Sequence, residues 1–209
     1  MREPVFNETA QLGIVVRDLE ATVRRYVDDY GIGPWQFAQI DLGEANNYRE
    51  YGQPVERSNR SAFATVGQVM WELIEPLDEE GIYARFLAEK GEGIHHVAVA
   101  TANFDETVAR AERENNVILS GEFSGAKFAF LATEGDLGVI LEVFSFSGTP
   151  DGTRRPHEHP PVPPFRLGKV GDPVEVLAHR VRVAGVVNAA CVVLLFTHLR
   201  GRGILRTSP

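Results

Sequence analysis

Two segments of the chain, 85 positions apart, show the same order of apolar and polar residues. The segment QLGIVVRDLEATVRRY (11–26) aligns without a gap with HVAVATANFDETVARA (96–111), and three of the aligned pairs are identical. In both segments a short apolar run precedes a turn and then a stretch with helical periodicity. The pattern predicts a strand followed by a helix in each copy, with Asp18 and Asn103 as the helix N-caps.

Each copy continues into further apolar runs of strand length. The first copy contains SAFATV and VMWELIEP, and the second contains KFAFLAT and GVILEVF. The pattern in each half therefore predicts a β-α-β-β-β module, and the two modules span about residues 8–76 and 94–146. We predict an α+β fold with two tandem βαβββ modules, related by a pseudo-two-fold axis, and a cleft where their sheets face each other.

The first and last apolar strands of each module are interrupted by a polar residue. These residues are Gln11 and Glu72 in the first copy and His96 and Glu142 in the second. Taken singly, such a Glu usually lies on a solvated edge of a sheet, and such a His is usually a core residue whose hydrogen bonds are satisfied. Their repeat-related positions instead favour a shared role, because burying an ionised carboxylate costs several kcal/mol or more unless something pairs with it.

Alternation along a strand places Gln11 and Gly13 on one face and His96 and Ala98 on the equivalent face. If the modules pack about a pseudo-two-fold axis, the four polar side chains converge in the cleft. They offer one nitrogen and three oxygen donors with two negative charges, which suits a divalent ion such as Zn, Ni, Co, Mn or Fe. His95 is out of register with Gln11, so we expect it on the other face and assign it no metal role.

Composition divides the chain near residue 150. Residues 1–150 carry a net charge of −13 and residues 151–209 a net charge of +5. We predict one domain over 1–150, a Pro-rich linker over 151–164 and an extension over 165–209 to which we assign no function. The apolar run 183–196 has 14 residues, too short for a membrane span of about 20, so we expect no membrane partner.

The whole chain has a net charge of −8 and a pI near 5.3. This argues against a nucleic-acid partner, which would require a basic face. Cys191 is the single cysteine, so no intramolecular disulfide is possible, and the chain fits a reducing cytoplasm.

Over residues 8–146 the chain resembles the vicinal oxygen chelate superfamily, which includes glyoxalase I, methylmalonyl-CoA epimerase, extradiol dioxygenases and bleomycin-resistance proteins. The strips ELIEPLDEEGIYARFLAEKGEGIHHVAVA and SGAKFAFLATEGDLGVILEVF resemble methylmalonyl-CoA epimerases. The set Gln11, Glu72, His96 and Glu142 is similar to the metal ligands of glyoxalase I. The resemblance implies the cupped sheet and a divalent metal cofactor.

The resemblance also implies proton abstraction next to a carbonyl group. Glu142 and Glu72 are the candidate acid–base residues, and Glu56 is a further candidate base. We expect a metal-dependent isomerase or epimerase that acts on a small carbonyl or thioester substrate as a homodimer. A glyoxalase I-type lyase is the alternative, although Glu92 stands where that family tends to carry an arginine for glutathione. A metal-free ligand-binding or resistance protein of the same fold is another.

Overall fold

The computed structural model describes residues 6–101, 103–123 and 126–146. These residues form a single mixed sheet of ten strands with four helices. The elements in chain order are β1 (Phe6–Val15), α1 (Leu19–Tyr30), β2 (Gln36–Leu42), β3 (Arg49–Glu50), β4 (Gln53–Pro54), β5 (Arg57–Val66), β6 (Val69–Pro76), α2 (Ile82–Lys90), β7 (Gly93–Thr101), α3 (Phe104–Arg113), β8 (Val117–Phe123), β9 (Ala126–Leu131), α4 (Glu134–Leu137) and β10 (Ile140–Phe146). The predicted linker and extension lie outside the described residues.

The strand order shows the predicted internal symmetry. The order is β2-β5-β6-β1-β7-β10-β9-β8-β3-β4, with β1 and β7 antiparallel at the centre. β1 runs parallel to β6, and β7 runs parallel to β10, in matching register: Gly13 faces Glu72, and Ala98 faces Glu142. Gly13 and Ala98 are 85 positions apart, which is the offset of the sequence repeat. The predicted α+β fold with two βαβββ modules is confirmed.

Each module packs its own helix on one face of the sheet. Leu19 and Val23 of α1 join a core cluster with Ile14, Ala62 and Leu73. In the second module, Phe104 and Ala111 of α3 pack in the same way on the buried residues Val99, Leu141 and Val143. Because side chains alternate along a strand, the odd-numbered residues of β1 and β5 face away from these helices. That opposite face is where the polar residues lie.

The first helix begins and ends with the predicted signals. The Asp18 carboxylate accepts a hydrogen bond of 2.9 Å from the Ala21 N–H, and Gly31 closes α1 in the left-handed conformation with φ of 66°. Asn103 precedes α3 as predicted, but its side chain forms no capping hydrogen bond. The predicted helix starts are therefore right, although only Asp18 acts as a side-chain cap.

Residues 43–56, between β2 and β5, form more than a loop. They contain a 3-10 turn (Glu44–Asn46) and the short hairpin β3–β4. β3 pairs with β8 of the second module, where Arg49 faces Ser120 and Glu50 faces Leu119. This segment of the first module therefore extends the far edge of the second.

A buried ion-pair cluster anchors this hairpin. The Glu50 side chain is only 4% exposed, and its carboxylate lies 3.1 Å from Arg57 Nε and 3.4 Å from the Arg85 guanidinium. Arg57 belongs to β5 and Arg85 to α2, so one carboxylate connects three elements. Arg60, the other arginine of β5, pairs with Glu75 and Glu20. Arg57 and Arg60 are thus both neutralised by carboxylates of the chain itself.

Helix α2 joins the two modules and was not predicted from the sequence. It begins after Gly81, and its residues Tyr83 and Phe86 contact the imidazole of His95 at ring-centroid distances of 4.9 and 5.1 Å. None of the helices in the described residues has the length and apolar character that a membrane crossing requires. Helix α2 packs over β7, where its aromatic side chains contact His95.

Candidate functional site

The four predicted polar residues lie on the four central strands, β1, β6, β7 and β10. They form two contacting pairs. Gln11 Nε2 donates a hydrogen bond of 2.7 Å to Glu72 Oε2, and His96 Nε2 lies 3.3 Å from Glu142 Oε2. Each pair joins the first and last strand of one module, whereas the sequence pattern predicted that all four side chains would converge on one ion. All four side chains are buried or nearly so.

Two polar residues of β5 form a chain of hydrogen bonds that ends at the Glu72 carboxyl group. Ser61 Oγ donates to Glu72 Oε1 over 2.9 Å, and Asn59 Nδ2 donates to Ser61 Oγ over 2.7 Å. Ser61 is fully buried. Neither residue was predicted from the sequence, although the alternation of Asn59, Ser61 and Phe63 was a usable signal.

Gly13 provides the space that the His96 imidazole occupies. A Cβ at Gly13 would lie 1.9 Å from His96 Cε1 and 2.2 Å from His96 Nε2, far inside contact distance. Without a side chain, Gly13 leaves room above this face of the sheet. In the structure, the His96 side chain of the second module occupies this space.

A β-bulge at His95 changes the predicted orientation of that residue. His96 faces Gly13, but the next residue of β1, Ile14, faces Ile94, so His95 is the extra residue. The expectation that His95 points away from the site was wrong. Its Nδ1 lies 3.1 Å from His96 Nδ1, and both imidazoles contact Tyr83 and Phe130.

Burial controls the protonation of the four titratable groups. It raises the pKa of Glu142 to about 8. Burial and the nearby Glu142 carboxylate raise the pKa of Glu72 to about 8, against the hydrogen bonds from Ser61 and Gln11. Burial also lowers the pKa of His95 and of His96 to about 3. Near neutral pH and without a cation, both imidazoles are neutral and both carboxyl groups hold protons for a large part of the time.

The residues fit a divalent metal ion by their chemistry. Within the described ranges no three His, Cys, Asp or Glu side chains are grouped closely enough to hold an ion. The four candidate ligands lie instead as two pairs, one in each module. Nevertheless, His96 Nε2 is enclosed and makes no hydrogen bond to any described residue. The Glu142 carboxyl group lies 3.3 Å from this nitrogen, and Glu72 with the Gln11 amide forms the second pair of the site. This N/O donor set is the kind that Zn and neighbouring divalent metals bind.

A cavity of about 150 Å³ opens beside the two carboxyl groups. Its wall is mainly apolar. Three of its polar residues, Tyr48, Asn59 and Tyr83, were not predicted from the sequence. Tyr83 comes from α2, and Tyr48 comes from the segment 43–56 between β2 and β5. The lining residues are Gln11, Ile40, Leu42, Tyr48, Asn59, Phe63, Met70, Glu72, Tyr83, Leu119, Phe123, Ala126, Phe128, Phe130, Glu142 and Phe144.

The structure does not bring Glu56 to this cavity. Glu56 is exposed and packs over Gly43, where a Cβ would lie 3.1 Å from Glu56 Cγ. Trp35 is a core residue whose Nε1 donates to the Ile32 carbonyl, and Phe37 is partly exposed. Neither aromatic residue is part of the cavity wall.

Comparison with known proteins agrees with this architecture. The uncharacterized protein YqjC of Bacillus subtilis (strain 168) is 33% identical over 93 residues, which cover 42% of this chain and 66% of that protein, just under two thirds. A structure of Streptomyces coelicolor methylmalonyl-CoA epimerase in complex with 2-nitronate-propionyl-CoA superposes with a TM-score of 0.51 at 24% identity, covering 68% of this chain and 99% of the other. The methylmalonyl-CoA epimerase of Mycobacterium tuberculosis superposes with a TM-score of 0.50 at 20% identity, covering 71% and 93%.

These two structural likenesses establish a shared fold. The sequence itself matches a family model over residues 10–130, more than half of the chain. That match places the two βαβββ modules and their cavity in one known superfamily. The chain belongs to the Glyoxalase/Bleomycin resistance protein/Dioxygenase superfamily, the vicinal oxygen chelate proteins.

Proposed function

We propose that the protein is a divalent-metal-dependent isomerase or epimerase that moves a proton at a carbon next to a carbonyl group. The observation that carries this proposal is the pair of buried carboxyl groups, Glu72 and Glu142, facing one small apolar cavity. Their raised pKa values lie close to neutral pH, where general acid–base catalysis is most effective.

Gln11, Glu72, His96 and Glu142 would hold the metal ion. A bound divalent ion polarises a carbonyl oxygen and stabilises the negative charge that develops on it. The protein itself supplies the dry pocket and the groups that carry the proton. None of the described residues on the cavity wall is a typical nucleophile such as cysteine or serine, and proton transfer is the chemistry that these residues support.

We assign the proton-abstracting role to Glu142. Glu72 is held by hydrogen bonds from Gln11 and Ser61, whereas the polar contact that the described residues give Glu142 is the His96 imidazole at a distance of 3.3 Å. Glu72 would then return the proton, so that the two carboxyl groups serve the two directions of an epimerisation. Glu56 remains a candidate base, but its exposed position outside the cavity favours the buried pair.

The cavity volume indicates a small acyl group. A cavity of about 150 Å³ in a protein core is large enough to hold a benzene molecule. We propose a 2-substituted acyl thioester as the substrate, since a methylmalonyl-CoA epimerase shares the fold and its complex contains a propionyl-CoA derivative.

Deuterium exchange tests this proposal directly. The metal-loaded protein is incubated in D2O with methylmalonyl-CoA, other 2-substituted acyl thioesters and a glutathione hemithioacetal. We expect metal-dependent deuterium uptake at the α-carbon of a thioester, loss of uptake in Glu142→Gln, and retention of uptake in Glu56→Gln, which separates the buried pair from the third candidate base. Absence of exchange with all of these substrates would contradict the proposal.

A glyoxalase I-type lyase is the second candidate, because the donors Gln11, Glu72, His96 and Glu142 match that metal set. Formation of lactoylglutathione from the hemithioacetal would identify it. Against it stands Glu92, whose Oε1 accepts a 2.8 Å hydrogen bond from the Arg17 N–H and adds negative charge at that position.

Metal binding has its own test. Elemental analysis of the purified protein should show one equivalent of a divalent metal, and His96→Ala and Glu142→Ala should lose it. Equal metal content in all three proteins would refute the site and favour a metal-free binding protein. The expected homodimer and the cytoplasmic location remain predictions, which light scattering and cell fractionation can test.

A further inference from the structure

Two tyrosines bring phenol hydroxyls to a cavity wall that is otherwise mainly apolar. Tyr83 belongs to α2, and Tyr48 belongs to the segment 43–56 between β2 and β5. Tyr83 also packs against the core cluster that contains Tyr48. Neither hydroxyl makes a hydrogen bond to any described residue. The proton transfer proposed above uses neither of these two groups.

The Tyr48 ring is held firmly in this wall. Tyr48 is only 3% exposed, and its ring lies 6.4 Å from that of Phe128 between centroids. Gly121 of β8 leaves space for the ring, because a Cβ at that position would lie 3.2 Å from Tyr48 Cδ2. The Tyr48 N–H donates to the Gly43 carbonyl over 3.1 Å. The hydroxyl therefore has a fixed place in the cavity wall.

The Tyr48 hydroxyl opens on the cavity rather than on the packed core. Among the described residues, the enclosed side-chain atoms without a hydrogen-bond partner are Glu8 Oε2 and His96 Nε2. The Tyr48 oxygen also lacks a partner but is not among the enclosed atoms, so the cavity must reach it. Burial raises the pKa of Tyr48, so its hydroxyl keeps its hydrogen and can donate. An unpaired donor is costly in a dry cavity, and a ligand oxygen that accepts from it removes this cost.

The charges around the cavity select the kind of oxygen. None of the described residues on the wall is an arginine or a lysine, and the acidic ones are Glu72 and Glu142. Arg57 and Arg85 lie outside the wall and both pair with Glu50. A carboxylate on the acyl group would enter without a cationic side chain to pair with it, at a cost that a hydroxyl or a carbonyl group avoids.

We propose that Tyr48 and Tyr83 form a substrate-binding subsite that donates hydrogen bonds to an uncharged oxygen, a hydroxyl or a carbonyl, on the acyl group of the substrate. The proposal deepens the function proposed above and rests on it for the thioester. It narrows the substrate class from any 2-substituted acyl thioester to one with a second, neutral oxygen. A hydrocarbon group of the same shape would leave both hydroxyls unpaired, which lowers its affinity.

The test is a comparison of affinities, measured by calorimetric titration of the purified full chain. The probes are the N-acetylcysteamine thioesters of 3-hydroxy-2-methylpropionate, 2-methylbutyrate and methylmalonate. The second replaces the hydroxyl of the first by a methyl group, and the third replaces its hydroxymethyl group by a carboxylate. We expect the hydroxy thioester to bind about 10-fold more tightly than its methyl isostere, and more tightly than the methylmalonyl thioester.

Three outcomes overturn the proposal. These are equal affinities for the hydroxy and methyl thioesters, tightest binding of the methylmalonyl thioester, and no binding of any of the three. The result does not depend on turnover. Deuterium exchange can fail while this selectivity holds, and exchange can succeed without the selectivity, so the subsite and the proposed reaction fail separately.

Matched variants separate the hydrogen bonds from packing. Tyr48→Phe and Tyr83→Phe keep each ring and remove its hydroxyl, so the preference for the hydroxy thioester should fall in each variant while the methyl thioester binds as before. The melting temperature of ligand-free Tyr48→Phe should not fall, because the hydroxyl has no partner in the fold. Tyr51→Phe is the control, since Tyr51 is 63% exposed and lies outside the cavity wall. A wild-type preference in either cavity variant, or a lowered melting temperature in Tyr48→Phe, overturns the proposal.

Discussion

Gly13 of β1 faces His96 of β7, and the imidazole fills the volume that a side chain at position 13 would need. The two residues belong to different modules and meet across the central antiparallel pair. A glycine on one strand thus determines where a candidate metal ligand on the other can lie.

Gly13→Ala should therefore disable the site. The new Cβ would lie 1.9 Å from His96 Cε1, so the imidazole must leave its position beside Glu142. We expect divalent-metal affinity to fall by at least 10-fold, as for the loss of a supporting residue, when measured by calorimetric titration. Gly135→Ala is the matched control, because a Cβ there meets nothing within 4 Å. Wild-type affinity in Gly13→Ala would contradict the assigned packing.

The stability of the metal-free protein should fall as pH rises from about 6.5 to 8. Glu72 and Glu142 have pKa values of about 8 in the folded chain and ordinary values near 4.5 when unfolded, so the native state binds more protons in this window. Each group changes the free energy of unfolding by at most about 1.4 kcal/mol per pH unit. His95 and His96, with lowered pKa values, act in the opposite direction, but only below about 6.5.

Scanning calorimetry in the presence of a chelator measures this effect as a decreasing melting temperature. The double variant Glu72→Gln, Glu142→Gln should show a flatter profile over the same window. A melting temperature that rises from pH 6.5 to 8 in the wild type would show that the two carboxyl groups are not buried as described.

Ser61→Ala should raise the pKa of Glu72 further. The Ser61 hydroxyl donates to Glu72 Oε1 over 2.9 Å and favours the ionised form. A hydrogen bond to a charged group contributes about 1.5–3 kcal/mol, so the midpoint should move up by roughly one pH unit or more. Carbon-13 NMR of the side-chain carboxyl groups measures this shift. Ser58→Ala on the same strand is the control, since its hydroxyl contacts Asp41 instead.

Glu50→Gln should destabilise the β3–β4 hairpin. It replaces the buried carboxylate that pairs with Arg57 and Arg85, and leaves Arg57 with the more distant Asp78 carboxylate at 4.0 Å. We expect a loss of about 1.5–3 kcal/mol in the free energy of unfolding, measured with urea. For comparison, Glu114→Gln breaks the exposed pair with Arg110 and should cost less than about 0.5 kcal/mol. Equal effects of the two substitutions would argue against a structural role for the cluster.

The sequence was sufficient to predict the modules because the repeat constrains both ends of each one. The segments that begin at Gln11 and His96 align over sixteen positions, and Glu72 and Glu142 occupy matching places in the closing strands. Since the structure pairs Gly13 with Glu72 and Ala98 with Glu142, the symmetry read from the sequence is the symmetry of the sheet.

The missing parts depend on tertiary contacts that no local pattern encodes. Strict alternation assigned His95 to the wrong face, because a bulge inserts one residue and local periodicity does not reveal it. The hairpin β3–β4 consists of two-residue strands that exist only through pairing with β8. Tyr83 reaches the cavity because α2 lies over β7, which depends on how the connection between the modules packs.

The pairing of β3 with β8 also affects the order in which the chain can fold. Residues 49–50 are synthesised long before residues 119–120, with which they pair. Domains emerging from the ribosome fold from the N-terminal side, and long-range pairings form late because closing the chain over such a span is slow. On the nascent chain, the first module can assemble its own strands while its inserted hairpin waits for the second module. We therefore expect the cavity wall that Tyr48 provides to be one of the last parts of the described fold to form.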